Sequence, residues 1–126
     1  MVFQEPRLLP WRSVRDNLLL VLPDSAQTEL VDALLDEVGL AGATAMWPRQ
    51  LSLGMARRVA VARALAIQPD ILLLDEPFAS LDVQAAERLA VTLRLAMQRR
   101  PHLATLLVTH DPQEASLFGA TLLPMA

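Results

Sequence analysis

Three short apolar runs in this chain each stop at a polar residue suited to chemistry. Met1–Phe3 stops at Gln4, Ile71–Leu74 at Asp75 and Glu76, and Leu103–Thr109 at His110 and Asp111. Runs of this length suit strands better than helices, and residues 71–74 read as a strand buried on both faces. Between the last two runs, Ala86, Leu89, Ala90, Leu93 and Met97 recur at helical spacing and predict a helix over residues 83–100 with that inner stripe. Strand, helix, strand in this order predicts a parallel α/β sheet. Ligands of open parallel sheets sit outside the carboxyl ends of the strands. If the three runs are neighbours, an amide, two carboxylates and an imidazole meet on one rim.

Nine prolines punctuate the chain, and they fall between the patterned segments. Residues 14–22 read as a short helix. Asp24 and Gln27 resemble a capping box opening a second helix, with Leu30, Val31, Leu34, Leu35 and Val38 on one stripe and Gly39 as its stop. An alanine-rich helix is expected from Ser52 to about residue 67, ended by Pro69. Pro112 opens a short helical turn, and residues 121–125 read as a final edge strand. The pairs Arg57–Arg58 and Arg99–Arg100 read as helix surface, as does His102. The mostly helical first half is expected to form a lobe beside the sheet.

Composition narrows the function classes. The chain has 126 residues, enough for one compact core. Eleven basic against 14 acidic residues give a net charge of −3 with no basic cluster, which argues against nucleic acid as partner. No apolar run approaches the roughly 20 residues of a spanning helix. Residues 1–9 contain Glu5 and Arg7 and carry no hydrophobic signal core. Cysteine is absent, so there are no disulfides or thiolate metal sites, in keeping with a reducing compartment. Every basic residue is arginine; lysine does not occur.

Ile71-Leu72-Leu73-Leu74-Asp75-Glu76-Pro77 is the most informative motif, and alone it is compatible with a core strand that ends in two acids. Its neighbours change its weight. Leu51-Ser52-Leu53-Gly54-Met55, followed by Arg57-Arg58-Val59-Ala60 and Ala62-Arg63-Ala64-Leu65, resembles the signature motif and helix of the ABC ATPases. Phe78-Ala79-Ser80-Leu81-Asp82 resembles their D-loop, Val108-Thr109-His110-Asp111 their switch histidine, and Val2-Phe3-Gln4-Glu5 their Q-loop. The run from Ile71 is then similar to a Walker B strand. Five motifs in family order cover nearly the whole chain. The Leu8-Leu9-Pro10-Trp11 and His110-Asp111-Pro112-Gln113-Glu114-Ala115 segments most resemble importer subunits of the nitrate, sulfonate and taurine type.

The resemblance implies a partial P-loop NTPase (RecA-like) sheet with an α-helical subdomain: residues 1–126 as an incomplete ABC ATPase domain, divided near residue 50. It implies ATP and Mg²⁺ as ligands, with Asp75 holding the metal and Gln4 sensing it or its water. Glu76 would act as general base and His110 would contact the γ-phosphate. Ser52 and Gly54 would face the nucleotide of a second nucleotide-binding subunit in a homodimer, and Asp82 would bridge the dimer interface. Each has a plainer reading as well: Ser52 and Asp82 are good helix caps, and an isolated loop glutamine or histidine is usually structural. The other implied partners are transmembrane permease subunits, placing the protein in the cytoplasm, peripheral to the plasma membrane.

Two features depart from the family pattern. A phosphate-gripping loop needs Gly-x-x-x-x-Gly-Lys-Ser/Thr, and no such segment exists among residues 1–126, which hold glycine only at 39, 42, 54 and 119. The chain alone is therefore expected not to hydrolyse ATP, and Met1 falls inside a strand as though the chain began mid-domain. With an open sheet edge and half a core, poor solubility is expected. In the signature, Leu53 stands where the family has glycine; it is expected to weaken contact with phosphate, by bulk or by demanding an unfavourable φ. A non-catalytic interaction fragment is the alternative function. Chromosome-maintenance ATPases share the motifs, but the acidic balance and the absence of a heptad run speak against them.

Overall fold

Strands β1 (Ile71–Asp75) and β2 (Ala104–Val108) pair in parallel, in register from Ile71 opposite Ala104 to Asp75 opposite Val108. In this computed structural model, residues 1–23, 28–119, 121 and 123 are described. Val2 forms an isolated parallel bridge to Leu74 on the other side of β1, its N–H donating to the Leu73 carbonyl at 2.7 Å and its carbonyl accepting from the Asp75 N–H at 2.9 Å. The amino-terminal segment, β1 and β2 thus lie side by side in that order. The expected neighbour relation holds.

Among the described residues five helices accompany this sheet: α1 (Val14–Leu19), α2 (Thr28–Glu37), α3 (Leu53–Ala66), α4 (Val83–Gln98) and α5 (Pro112–Phe118). A short 3₁₀ turn, Pro48–Gln50, precedes α3. The α4 crossover starts where the Asp82 carboxylate accepts from the Ala85 N–H at 2.8 Å, and it buries Leu89, Ala90, Leu93 and Ala96. Ala86 and Met97 of the expected stripe are half-buried against the same core. Helix α3 is the hub. It touches α1, α2 and α4, so its small residues Ala60 and Ala62 and the neighbouring Val59 and Val61 are all buried. Contacts on several sides bury residues along the whole of α3, while Arg58 and Arg63 stay half-buried at its margin.

Three expectations need correction here. Residues 14–22 are helical only to Leu19, and Leu20 caps the turn. Val31, Leu34 and Leu35 of α2 and Val38 just past its end are buried, but Leu30 is exposed. The third concerns β1, which is buried on one face only. Leu72 and Leu74 are 1% exposed, whereas Ile71 is 62% exposed. On the same outer face, Leu106 and Val108 of β2 are exposed as well. The helices of the core pack against the Leu72 and Leu74 side, and among the described residues nothing covers the other. The expected capping residues Asp24 and Gln27, and most of the expected strand over 121–125, lie outside the described residues.

Candidate functional site

The site grows from the ends of the three parallel segments. Val2, Leu74 and Leu107 are neighbours across the sheet, so Gln4, Asp75–Glu76 and His110 leave it at the same edge. Glu76 leaves β1 with φ +47°, in the left-handed region, and it precedes Pro77. Both conditions are unfavourable for a residue with a side chain. Such a conformation persists where neighbours over-determine it. Here the Glu76 N–H donates to the Val108 carbonyl at 2.8 Å, locking the turn to the end of β2.

That turn sets the carboxylate against His110. The imidazole Nδ1 stands 2.7 and 2.8 Å from the two Glu76 oxygens. The Glu76 side chain is mostly sheltered, while 80% of the His110 side chain faces solvent. Glu76 raises the His110 pKa, first by the hydrogen bond and then by its charge, with Glu114 and Asp111 adding smaller pulls in the same direction. Downstream, the Thr109 hydroxyl donates to Glu114 and accepts from the Asp111 N–H, and Asp111 caps α5 through the Gln113 N–H. His110 is therefore presented from a braced corner.

Asp75 is half-buried and Gln4 exposed at this rim. Neither makes a direct side-chain bond to the Glu76–His110 pair. Among the described residues no group of three or more His, Asp or Glu side chains could hold a metal by itself.

A second gathering lies where α3 begins. The Ser52 hydroxyl accepts from the Met55 N–H at 3.2 Å, an ordinary N-cap. Gly54 is buried, and a Cβ there would lie 3.3 Å from the Ala85 Cβ, so its lack of a side chain lets the first turn of α3 approach the start of α4. Ser52, Gly54 and the Asp82 cap are thereby grouped at two adjoining helix starts. Leu53 is the first residue of α3, and its φ is not positive. The expectation of an unfavourable φ at Leu53 is overturned; its side chain projects outward, 40% exposed.

Three polar residues with structural weight escaped the sequence reading. Arg57 is 2% exposed, which corrects its reading as helix surface. It donates from Nε to the Gln4 carbonyl at 3.2 Å and from Nη1 to the Pro77 carbonyl at 2.7 Å. Its spacing held the clue: it shares a stripe with Gly54, Val61 and Leu65, all buried. Arg100 is likewise no free surface residue, being paired through both terminal nitrogens with Glu37 at the end of α2. Asn17 is fully buried on α1. Its carbonyl oxygen accepts from the Leu9 N–H, and its amide donates to the carbonyls of Leu9, Arg12 and Ser13. It fixes the loop that leads away from Gln4.

An open parallel sheet with an amide, acids and an imidazole on its carboxyl rim defines an α/β protein of the class that binds ligands beyond its strand ends. The chain belongs to the ABC transporter family, whose profile, described as "ABC transporter", matches residues 1–79. It is 47% identical over 127 residues to aliphatic sulfonates import ATP-binding protein SsuB 2 of Burkholderia lata, covering 100% of this chain and 46% of that protein. Against SsuB 1 of Pseudomonas fluorescens it is 48% identical over 126 residues, covering 99% and 48%. The chain thus spans about half the length of the curated relatives it matches. Among solved structures, the dimeric post-hydrolysis state of an ATP-binding cassette bound to ADP and Pi matches with a TM-score of 0.74 and 30% identity, over 92% of this chain and 53% of that one.

Proposed function

We propose that this chain is the rear part of the ATP-binding subunit of an ABC importer of the aliphatic-sulfonate type, coupling ATP-driven dimerisation to transport. The observation that carries the reading is the Glu76 carboxylate held at 2.7 Å from His110 on the carboxyl rim of parallel strands. Names of relatives support the substrate class, and the dimeric form of the matching cassette supports a homodimer as partner. Permease subunits would be the other partner, with the protein at the cytoplasmic face of the membrane. Among the described residues no helix is long and apolar enough to cross a membrane, so transport would belong to those subunits. Residues 1–50 would form the Q-loop and helical part, and 51–126 the signature helix, Walker B, D-loop and switch-histidine part.

The donor set fits half of a magnesium–nucleotide site. Mg²⁺ prefers oxygen ligands and usually takes one or two carboxylates, completing its shell with phosphate and water, so Asp75 and the Gln4 amide suffice from this chain. The phosphate-gripping backbone and lysine are not among these residues, and the chain by itself is expected to be inactive. When bound, the magnesium nucleotide supplies a terminal phosphoryl group open to attack by water. Glu76 would take the proton of that water, since its carboxylate is sheltered yet reaches the rim. His110 would orient the γ-phosphate through the nitrogen that Glu76 does not engage. Ser52 and Gly54 would offer the start of α3 to the nucleotide of the second subunit, and Asp82 would lie at that interface.

The test is to read the gene in frame upstream of Met1 for a glycine-rich Lys-Ser/Thr segment, then to assay the resulting subunit. Glu76→Gln should lower kcat for MgATP by about 100-fold or more with nucleotide binding retained. Hydrolysis at the parent rate by Glu76→Gln would overturn the reading. The alternative is a non-catalytic interaction fragment, and a gene without any such upstream segment would select it.

A further inference from the structure

Arg57 is a buried cation without a carboxylate. No acidic group lies within ion-pair distance of it among the described residues. Burial lowers its pKa, and the charge of Glu114 offsets this only in part. A leucine would fill such a core position without that penalty. What the guanidinium contributes instead is a fork with two targets, the carbonyls of Gln4 and Pro77.

Those carbonyls belong to the two segments leaving adjacent parallel backbones. Gln4 lies two residues past Val2, which bridges to Leu74, and Pro77 lies two residues past Asp75. Glu76 sits between the Pro77 anchor and its own hydrogen bond to Val108, so its left-handed backbone is held from both sides. Farther along α3, Arg63 donates to the carbonyls of Pro6 and Arg7, and Arg7 too has a positive φ of 48°. The loop after Gln4 is thus attached to one helix at successive points.

We propose that Arg57 is a positioning residue that clamps the exits of the amino-terminal segment and of β1 to α3. Gln4 and Glu76 thereby keep their spacing and follow the helix whose first turn carries Ser52 and Gly54. The purpose of this clamp rests on the nucleotide reading above, but the clamp itself is measurable without nucleotide. A planar fork spans both carbonyls; an ammonium group on a single stem serves one of them.

Hydrogen–deuterium exchange of the full 126-residue chain, resolved by mass spectrometry, tests the proposal with Arg57→Met and Arg57→Lys. In Arg57→Met, the amides of residues 1–9 and 76–82 should exchange at least about tenfold faster, as befits loss of charged hydrogen bonds. Those of α2 and α4 should keep their parent rates. Arg57→Lys should restore one of the two segments and leave the other fast. Faster exchange everywhere at once means mere loss of stability and overturns the clamp, as does unchanged exchange at both segments. If Arg57→Met does not fold, Arg57→Lys decides: one segment fast supports the clamp, and parent-like rates at both refute it. A subunit that binds no ATP would sink the nucleotide reading and leave this result untouched.

Discussion

The two faces of the sheet are built from the same kinds of side chain and live in opposite environments. On the inner face, Val2, Leu72 and Leu74 are packed into one buried cluster with α1, α2, α3 and α4. On the outer face, Ile71, Leu73, Leu106 and Val108 meet solvent. Antiparallel sheets often leave one face wet, but they make it polar; parallel sheets are ordinarily covered on both sides. An apolar outer face on a parallel pair therefore marks a surface whose composition suits a cover. The lesson is that a strand's sequence reports the environment it suits, and its solvent exposure depends on what packs against it.

The comparison is broken most directly by paired deletions. Leu74→Ala should lower unfolding free energy by about 2–5 kcal/mol in a urea titration, through lost burial and a cavity. Ile71→Ala, on the exposed face, should stay within about 0.5 kcal/mol of the parent. Equal losses would mean that the outer face is covered in solution. In the same series Leu106→Glu should reduce aggregation, read by light scattering, with little change in stability.

Asn17→Leu sharpens the picture behind the sheet. It removes four hydrogen bonds between a buried amide and the loop before α1, leaving main-chain groups of Leu9 and Arg12 without those partners. A loss of about 1–3 kcal/mol is expected in the same titration. An unchanged midpoint would show that water replaces the amide.

The smallest effect lies at the rim, where Glu76 raises the His110 pKa. The sign follows from linkage. The pair's contribution to stability is present below the imidazole's unfolded value and fades as pH rises through the higher folded value. His110 is exposed, so the effect on stability is small, but its titration by proton NMR should lie above that of the urea-unfolded chain. Glu76→Gln should bring it down; an unmoved titration would dissolve the pair.

Much of this arrangement was legible from residues alone. The acids after Leu74, the amide after Phe3 and the imidazole after Thr109 each follow an apolar run, and they share a rim provided the runs are parallel neighbours, which the pairing supplied. Ser52 and Asp82 were readable as caps because a hydroxyl or carboxylate before a helical pattern satisfies free N–H groups. Arg57 shares a helical stripe with Gly54, Val61 and Leu65, but its role was not readable, because an arginine on an alanine-rich helix looks solvated until its carbonyl partners, distant in sequence, are in view. Leu30 failed for the opposite reason: it lies at the margin of its stripe, where a small rotation of the helix decides exposure.

Sequence by itself determined most of the elements, the parallel sense of the sheet and the chemical character of the rim, because these follow from short-range periodicity and from which residue ends each run. Tertiary structure alone decided which face of β1 is dry, that Glu76 turns through a left-handed backbone onto His110, and that Arg57 reaches two strand exits. Those facts depend on contacts between residues 20 to 53 positions apart, and no local pattern encodes them.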